Sequence, residues 1–167
     1  MTTTTNNDDP TILFDSREQA SEIAKKMVAR ARHEILFFGA TIDPVLFDNA
    51  EVVESIRQMV IANRKDAKIR LLVHSTQENI DQRHQLIPLA RRMTTAFDVH
   101  KTDAEHSKLP QMYLIVDQKS YLFCSHSDTY RGRASFDDAV ETNRLKSRFN
   151  EIWPFGTPDI HFRHSSL

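Results

Sequence analysis

Two continuous apolar runs, "EILFFGA" (34–40) and "KIRLLVH" (68–74), each directly follow a segment with helical periodicity. An apolar run without polar alternation is what a strand buried on both faces requires, and the helix before each run supplies cover. In the first helix, Ser16 and Gln19 form a capping box. Ala20, Ile23, Ala24, Met27, Val28 and Ala31 then recur at the 3.6-residue spacing of one buried face. The second helix turns Val53, Ile56, Met59 and Val60 inward, and "DPVLFD" (43–48) reads as a loop before it.

The remaining chain continues the alternation. A third helix is expected over Gln82–Thr95, kinked or delayed by Pro88, then a short strand "FDVHK" (97–101) and a polar loop over 102–110. "QMYLIVD" and "YLFCS" have the spacing of a hairpin around Gln118, Lys119 and Ser120, and "RASF" reads as one more short strand. A closing helix over Asp138–Trp153 buries Leu145, Phe149, Ile152 and Trp153, with Asp137 and Asp138 at its positive end. Pro154, Gly156 and Pro158 stop it, and the tail packs back through Ile160 and Phe162. The predicted architecture is α/β, a mixed and mostly parallel sheet flanked by helices. It forms one domain over 11–167 behind a disordered tail at 1–10.

Composition excludes several classes. A net charge of −1 leaves no bulk basic field, so any contact with nucleic acid has to come from a local patch. The single cysteine, Cys124, fits a reducing compartment, and "MTTTTNNDDP" lacks the basic and apolar regions of a secretory signal. No run is long enough to span a membrane, so a cytoplasmic location without membrane contact is expected. With only Gly39, Gly132 and Gly156, no phosphate-cradling glycine loop exists. No cofactor is expected.

The first half, "ARARHEILFFGATIDP" through "VVESIRQMVIANRKDAKIRLLVH", resembles one half of the phospholipase D superfamily, and the resemblance covers roughly 16–153. "RHQLIPLARRM" and "RLKSRFNEIWP" with "PDIHFR" are similar to a bacterial group of single-half members, some fused or adjacent to acetyltransferases. The resemblance implies a homodimer and a possible acetyltransferase partner. Active members carry HxKxxxxD followed by GSxN, with histidine attacking phosphorus and lysine neutralising its oxygens. In the register where "YLIVD" supplies the aspartate, Asp117 takes that place and Ser125 the serine. Histidine and lysine are then replaced by Pro110 and Met112, glycine by Cys124 and asparagine by Ser127. The resemblance therefore implies a catalytically inactive remnant, a pseudo-phosphodiesterase with a binding or regulatory role.

The alternative is a divergent phosphodiesterase or nuclease using His106 and Lys108 from the 102–110 loop. For binding, Arg83 and His84 with Arg131, beside Asp117 and Ser125, form an expected site for an anionic ligand: a phosphate, a nucleotide or an RNA backbone. A protein partner is the other expected occupant. Arg91 and Arg92, two helical turns past Arg83, and Arg133 extend the basic group, and Tyr130 is a candidate for stacking on a base. Packing is the stronger reading for Cys124, His126 and Asp128, and no zinc-type ligand spacing occurs. His100, Asp103 and His106 form a weaker metal candidate. The dimer is expected to bury a sheet edge holding Asp117 and Ser125.

Overall fold

The computed structural model describes residues 11–162; the tail at 1–10 and the last five residues lie outside the described residues. Eight strands and six α-helices alternate: β1 (Ile12–Phe14), α1 (Arg17–Ala29), β2 (Glu34–Gly39), α2 (Pro44–Phe47), α3 (Ala50–Ala62), β3 (Lys68–Val73), α4 (Gln77–Asp81), α5 (Leu86–Arg92), β4 (Phe97–Lys101), β5 (Met112–Val116), β6 (Ser120–Cys124), β7 (Gly132–Ser135), α6 (Ala139–Ile152) and β8 (Thr157–Pro158). They form one sheet in the order β1-β7-β6-β5-β2-β3-β4-β8. Only β2/β3 and β3/β4 pair in parallel; the other five pairings are antiparallel. The layer is mixed α/β as expected, with a smaller parallel share than the strand–helix alternation suggests.

The buried strands alternate between two cores. Ile35, Phe37, Ile69, Leu71, Met112 and Leu114 face α1, α2, α3 and α5. Leu36, Phe38, Leu72, Tyr113, Ile115 and Tyr121 face α6 through Leu145, Phe149 and Ile152. At roughly 25 cal/mol per Å² of apolar surface removed from water, this double-sided burial is the main favourable term in folding.

Local signals account for most element boundaries. Ser16 accepts from the Gln19 amide and Gln19 Oε1 from the Asp15 amide, the reciprocal capping box. Asp43, Asn49 and Asp138 cap α2, α3 and α6 in the same way. In α3 Val52 and Val60 are the buried valines, with Val53 half-buried at the margin. "DPVLFD" is a short helix: Asp43 as cap and Pro44 at its first position start it. The expected helix over Gln82–Thr95 is shorter, Leu86–Arg92, and a separate short helix over Gln77–Asp81 precedes it; between the two Arg83 takes φ 54° and the Gln85 amide donates to Asp48 Oδ1. Pro88 sits inside the second of them, α5. β5 and β6 are paired on both sides, so Asp117 and Ser125 lie at strand ends and no sheet edge holds them. In the tail, Ile160 is exposed while Phe162 packs against the core.

Candidate functional site

β2, β3, β4 and β6 end on one side of the sheet, where β5 and β7 begin. The chain leaves β2 toward β3 on one flank while antiparallel β5 occupies the other, so the carboxyl end of β2 lies beside the start of β5. Pro110 and Met112 enter β5 there, Cys124 and Ser125 leave β6, and the Ser127 amide donates to the Pro110 carbonyl at 2.8 Å. Met112 is 0% exposed and pairs across the ladder with Cys124, so this position belongs to the core. Burial, with the nearby Asp43 charge adding to it, pushes the Cys124 thiol up to about 12, which leaves no thiolate at neutral pH. Cys124 is buried while His126 and Asp128 are exposed, so the three do not meet.

Beneath this rim of strand ends lies a buried polar link. Tyr130 Oη donates to Asp43 Oδ2 at 2.8 Å, and the Leu46 amide donates to Asp43 Oδ1. Burial raises the Asp43 pKa, opposed by the Tyr130 hydroxyl, by the Leu46 and Val45 amides and by the Arg17 charge. Tyr130, at φ 50°, is buried with the Arg17 guanidinium 4.9 Å from its ring centroid, so it offers no free face to a base. The ring of His84 is buried with its Nε2 unpartnered. Desolvation lowers its pKa, against the Asp48 charge and the Asp43 main chain, so His84 is not a standing cation.

Three guanidiniums are carried by segments at this end of the sheet. Arg17 covers Tyr130, Arg131 follows it in the chain and Arg83 precedes His84; all three side chains are exposed, and none forms an ion pair among the described residues. Ser125 and Arg131 flank the paired Cys124 and Gly132. Gly132 is required there, because a Cβ would stand 1.9 Å from the Phe123 carbonyl oxygen. Arg83, His84, Ser125 and Arg131 thus share one end of the sheet. Asp117 is at the opposite end, its carboxylate taken by the amides of Arg32, His33 and Glu34 at 3.0, 2.9 and 3.0 Å. The wider basic group separates. Arg91 donates to the His161 carbonyl and covers Phe162, Arg92 is exposed at the end of α5, and Arg133 bonds Glu141.

His106 sits in the turn after β4, its Nδ1 2.6 Å from Asp103 Oδ1, and Lys108 is exposed two residues on. The loop is pinned by His74, which bridges Thr102 Oγ1 at 2.8 Å and the Leu109 carbonyl at 2.9 Å. His100 instead stacks on Trp153 at 3.9 Å. Among the described residues no group of three His, Cys, Asp or Glu side chains could hold a metal ion. A second polar cluster lies where β3 and β4 end. There Thr76 Oγ1 contacts both Asp159 oxygens at 2.9 Å and His161 Nδ1 at 3.0 Å, beside a cavity of about 810 Å³ that Lys101 also lines. Asp43 was findable from the Asp-Pro start of a helix. Arg17 and Asp159 carry no local signal, since only the tertiary fold brings them to these positions.

Residues 16–164 match a family described as a domain of unknown function, DUF7931. No curated protein matches the sequence. Solved structures share the fold at low identity. TrmBL2, an archaeal chromatin protein described as binding DNA in a novel mode, has a TM-score of 0.62 at 15% identity over 90% of this chain. This chain spans about half, 54%, of the TrmBL2 chain. The phospholipase D family member Nuc from Salmonella typhimurium has a TM-score of 0.58 at 10% identity, over 89% of this chain and 96% of its own. NucT from Helicobacter pylori has a TM-score of 0.56 at 13% identity, over 89% and 98%. The fold is phospholipase D-like.

Proposed function

We propose, from the premise that the chain belongs to the DUF7931 family, that it is a single phospholipase D-like domain over 11–167 that binds a phosphate-bearing ligand without cleaving it. The observation that carries the reading is which residues stand at this end of the sheet. In the motif register the nucleophile's position falls on Pro110 and the lysine's on the core residue Met112, while Arg17, Arg83 and Arg131 are exposed and form no ion pair among the described residues. Proline has no lone pair to offer phosphorus, and a thioether in the core carries no charge to a phosphate. Guanidiniums without carboxylate partners still suit phosphate oxygens. Arg17, Arg83 and Arg131 with Ser125 are the binding groups, and His84 supports the rim from within. The DNA binding described for TrmBL2 favours a nucleic-acid backbone over a free nucleotide. A homodimer and an acetyltransferase partner rest on the family resemblance. Among the described residues no helix is long and apolar enough to cross a membrane.

Fluorescence anisotropy with labelled single-stranded and duplex oligonucleotides tests this. Three arginine–phosphate contacts on a single strand give a slope of about −2 in log affinity against log salt. Arg131→Ala and Arg83→Gly, which suits the left-handed backbone at that position, are each expected to weaken binding and flatten the slope. Affinity unchanged in both variants would refute the site.

One observation favours a second reading. Asp103 holds Nδ1 of His106 and leaves Nε2 free, the orientation a nucleophilic or basic imidazole needs. On that reading Lys108 supplies the charge for a divergent phosphodiesterase. Turnover of a generic phosphodiester that disappears in His106→Ala would establish it; no turnover supports the binding reading. A pull-down that recovers no acetyltransferase would remove that partner.

A further inference from the structure

On the opposite face of the sheet, under α6, a cavity of about 180 Å³ is lined by Phe38, Tyr113, Phe123, Arg144 and Arg148, with aliphatic walls. Phe38, Tyr113 and Phe123 stand at paired positions on three adjacent strands, so their side chains share this face. The rings form a row, with Phe38 5.3 Å from Tyr113 at 17° and Phe123 6.4 Å away at 21°. Tyr113 is 3% exposed, yet its hydroxyl has no hydrogen-bond partner. An orphaned buried hydroxyl costs about 1–3 kcal/mol. Filling the cavity with a hydrogen-bond acceptor removes that cost. Burial raises the Tyr113 pKa against the opposing charge of Arg148, so the group is a neutral O–H donor at physiological pH.

The mouth of the cavity is cationic. Arg144 and Arg148 stand one turn apart on α6. Arg144 is held by both oxygens of Glu141, whereas Arg148 forms only an exposed 3.8 Å pair with Glu151, a weak contact that a ligand's charge can replace. A phenol donor and one available guanidinium ask for an acceptor with a single negative charge. The ring row and the side chains of Leu109, Leu145 and Ile152 ask for a flat apolar body. The size fits a single ring, since a cavity of roughly 150 Å³ accommodates benzene.

We propose that this cavity binds a small aryl carboxylate, with the ring stacked along Phe38, Tyr113 and Phe123 and the carboxylate between the Tyr113 hydroxyl and Arg148. The site is separate from the arginine rim, so benzoate binding and oligonucleotide binding fail independently.

Calorimetric titration of the full chain with benzoate, acetate and benzyl alcohol tests it. Benzoate is expected to bind saturably at one per chain. Acetate, which lacks the ring, and benzyl alcohol, which lacks the charge, bind at least about tenfold more weakly. Tyr113→Phe keeps the ring row and removes the orphaned hydroxyl, so the fold is retained with a melting temperature at or above that of wild type, and benzoate affinity falls about tenfold or more. Arg148→Met keeps the aliphatic contact and loses a similar factor. Equal binding of benzoate and acetate, wild-type affinity in both variants, or no saturation at millimolar benzoate would each overturn the proposal.

Discussion

Asp117 takes φ 55°, a left-handed conformation that costs a non-glycine residue about 1–3 kcal/mol. What holds it there is its own carboxylate, which accepts from three successive amides at the start of β2, while the Asp117 amide donates to the Glu34 carbonyl. The residue that the motif register marks as an aspartate therefore joins the β5–β6 turn to the β2 entrance and touches no ligand end of the sheet. Its role is architectural. Asp117→Ala keeps the strain and removes the acceptor, so a loss of about 2–3 kcal/mol is expected in urea unfolding. Oligonucleotide affinity of the folded variant should be unchanged. A loss of affinity with wild-type stability would return Asp117 to the binding site.

At the scale of elements, α6 is tied to the sheet margin by one carboxylate. Glu141 is bonded by Arg144 on the same helix and by Arg133 of β7, and these partners hold its pKa at about 2 against the usual 4.5. A depressed folded pKa means stability present above pH 4.5 that is lost as the pH falls toward 2. Asp43 acts in the opposite sense: its raised pKa favours the fold as the pH falls. The difference between wild type and Glu141→Gln isolates the Glu141 contribution. The variant is expected to be about 1 kcal/mol less stable at pH 7, with the gap closing between pH 4.5 and 2, as followed by thermal melts. A gap that persists at pH 2 would show that lost packing, not charge, is responsible.

Elements with a local cause were legible and those with a tertiary cause were not. Ser16–Gln19 and the apolar face behind it define α1 from sequence alone, and the β5–β6 hairpin follows from its spacing. The break between α4 and α5 depends on Asp48 accepting from Gln85, thirty-seven residues away, and no propensity foretells it. β1 is three residues long and exists by pairing with β7, more than a hundred residues later. The site divides in the same way. Pro110 and Met112 were readable from the motif register, whereas the Tyr130–Asp43 link and the covering of Tyr130 by Arg17 needed the fold. The row of Phe38, Tyr113 and Phe123 also needed it, because those three positions meet only through strand order.

For the whole molecule, the sheet ends decide how two copies could meet. β8 is two residues long, and β1 is the other margin. Among the described residues no strand pairs with the outer side of β1, which is an edge of the sheet. Leu13 on β1 is 78% exposed and pairs with Arg133, whose guanidinium bonds Glu141 beside Val140, itself 83% exposed. Two exposed aliphatic side chains next to an unpaired strand are what a symmetric edge-to-edge contact uses. The homodimer is therefore expected here, beside the Arg17 and Arg131 end of the rim and one turn of α6 from Arg144, and it would present two rims to one nucleic-acid backbone. Light scattering at micromolar concentration is expected to give twice the chain mass, and Leu13→Lys, which places a charge in the contact, to give the monomer. Because Leu13 is not one of the rim's binding groups, each monomer should keep its single-site affinity for a short oligonucleotide and lose the tighter binding of one long enough to reach both copies. A dimer that survives both Leu13→Lys and Val140→Lys would place the contact elsewhere, and a wild-type chain that stays monomeric would remove it.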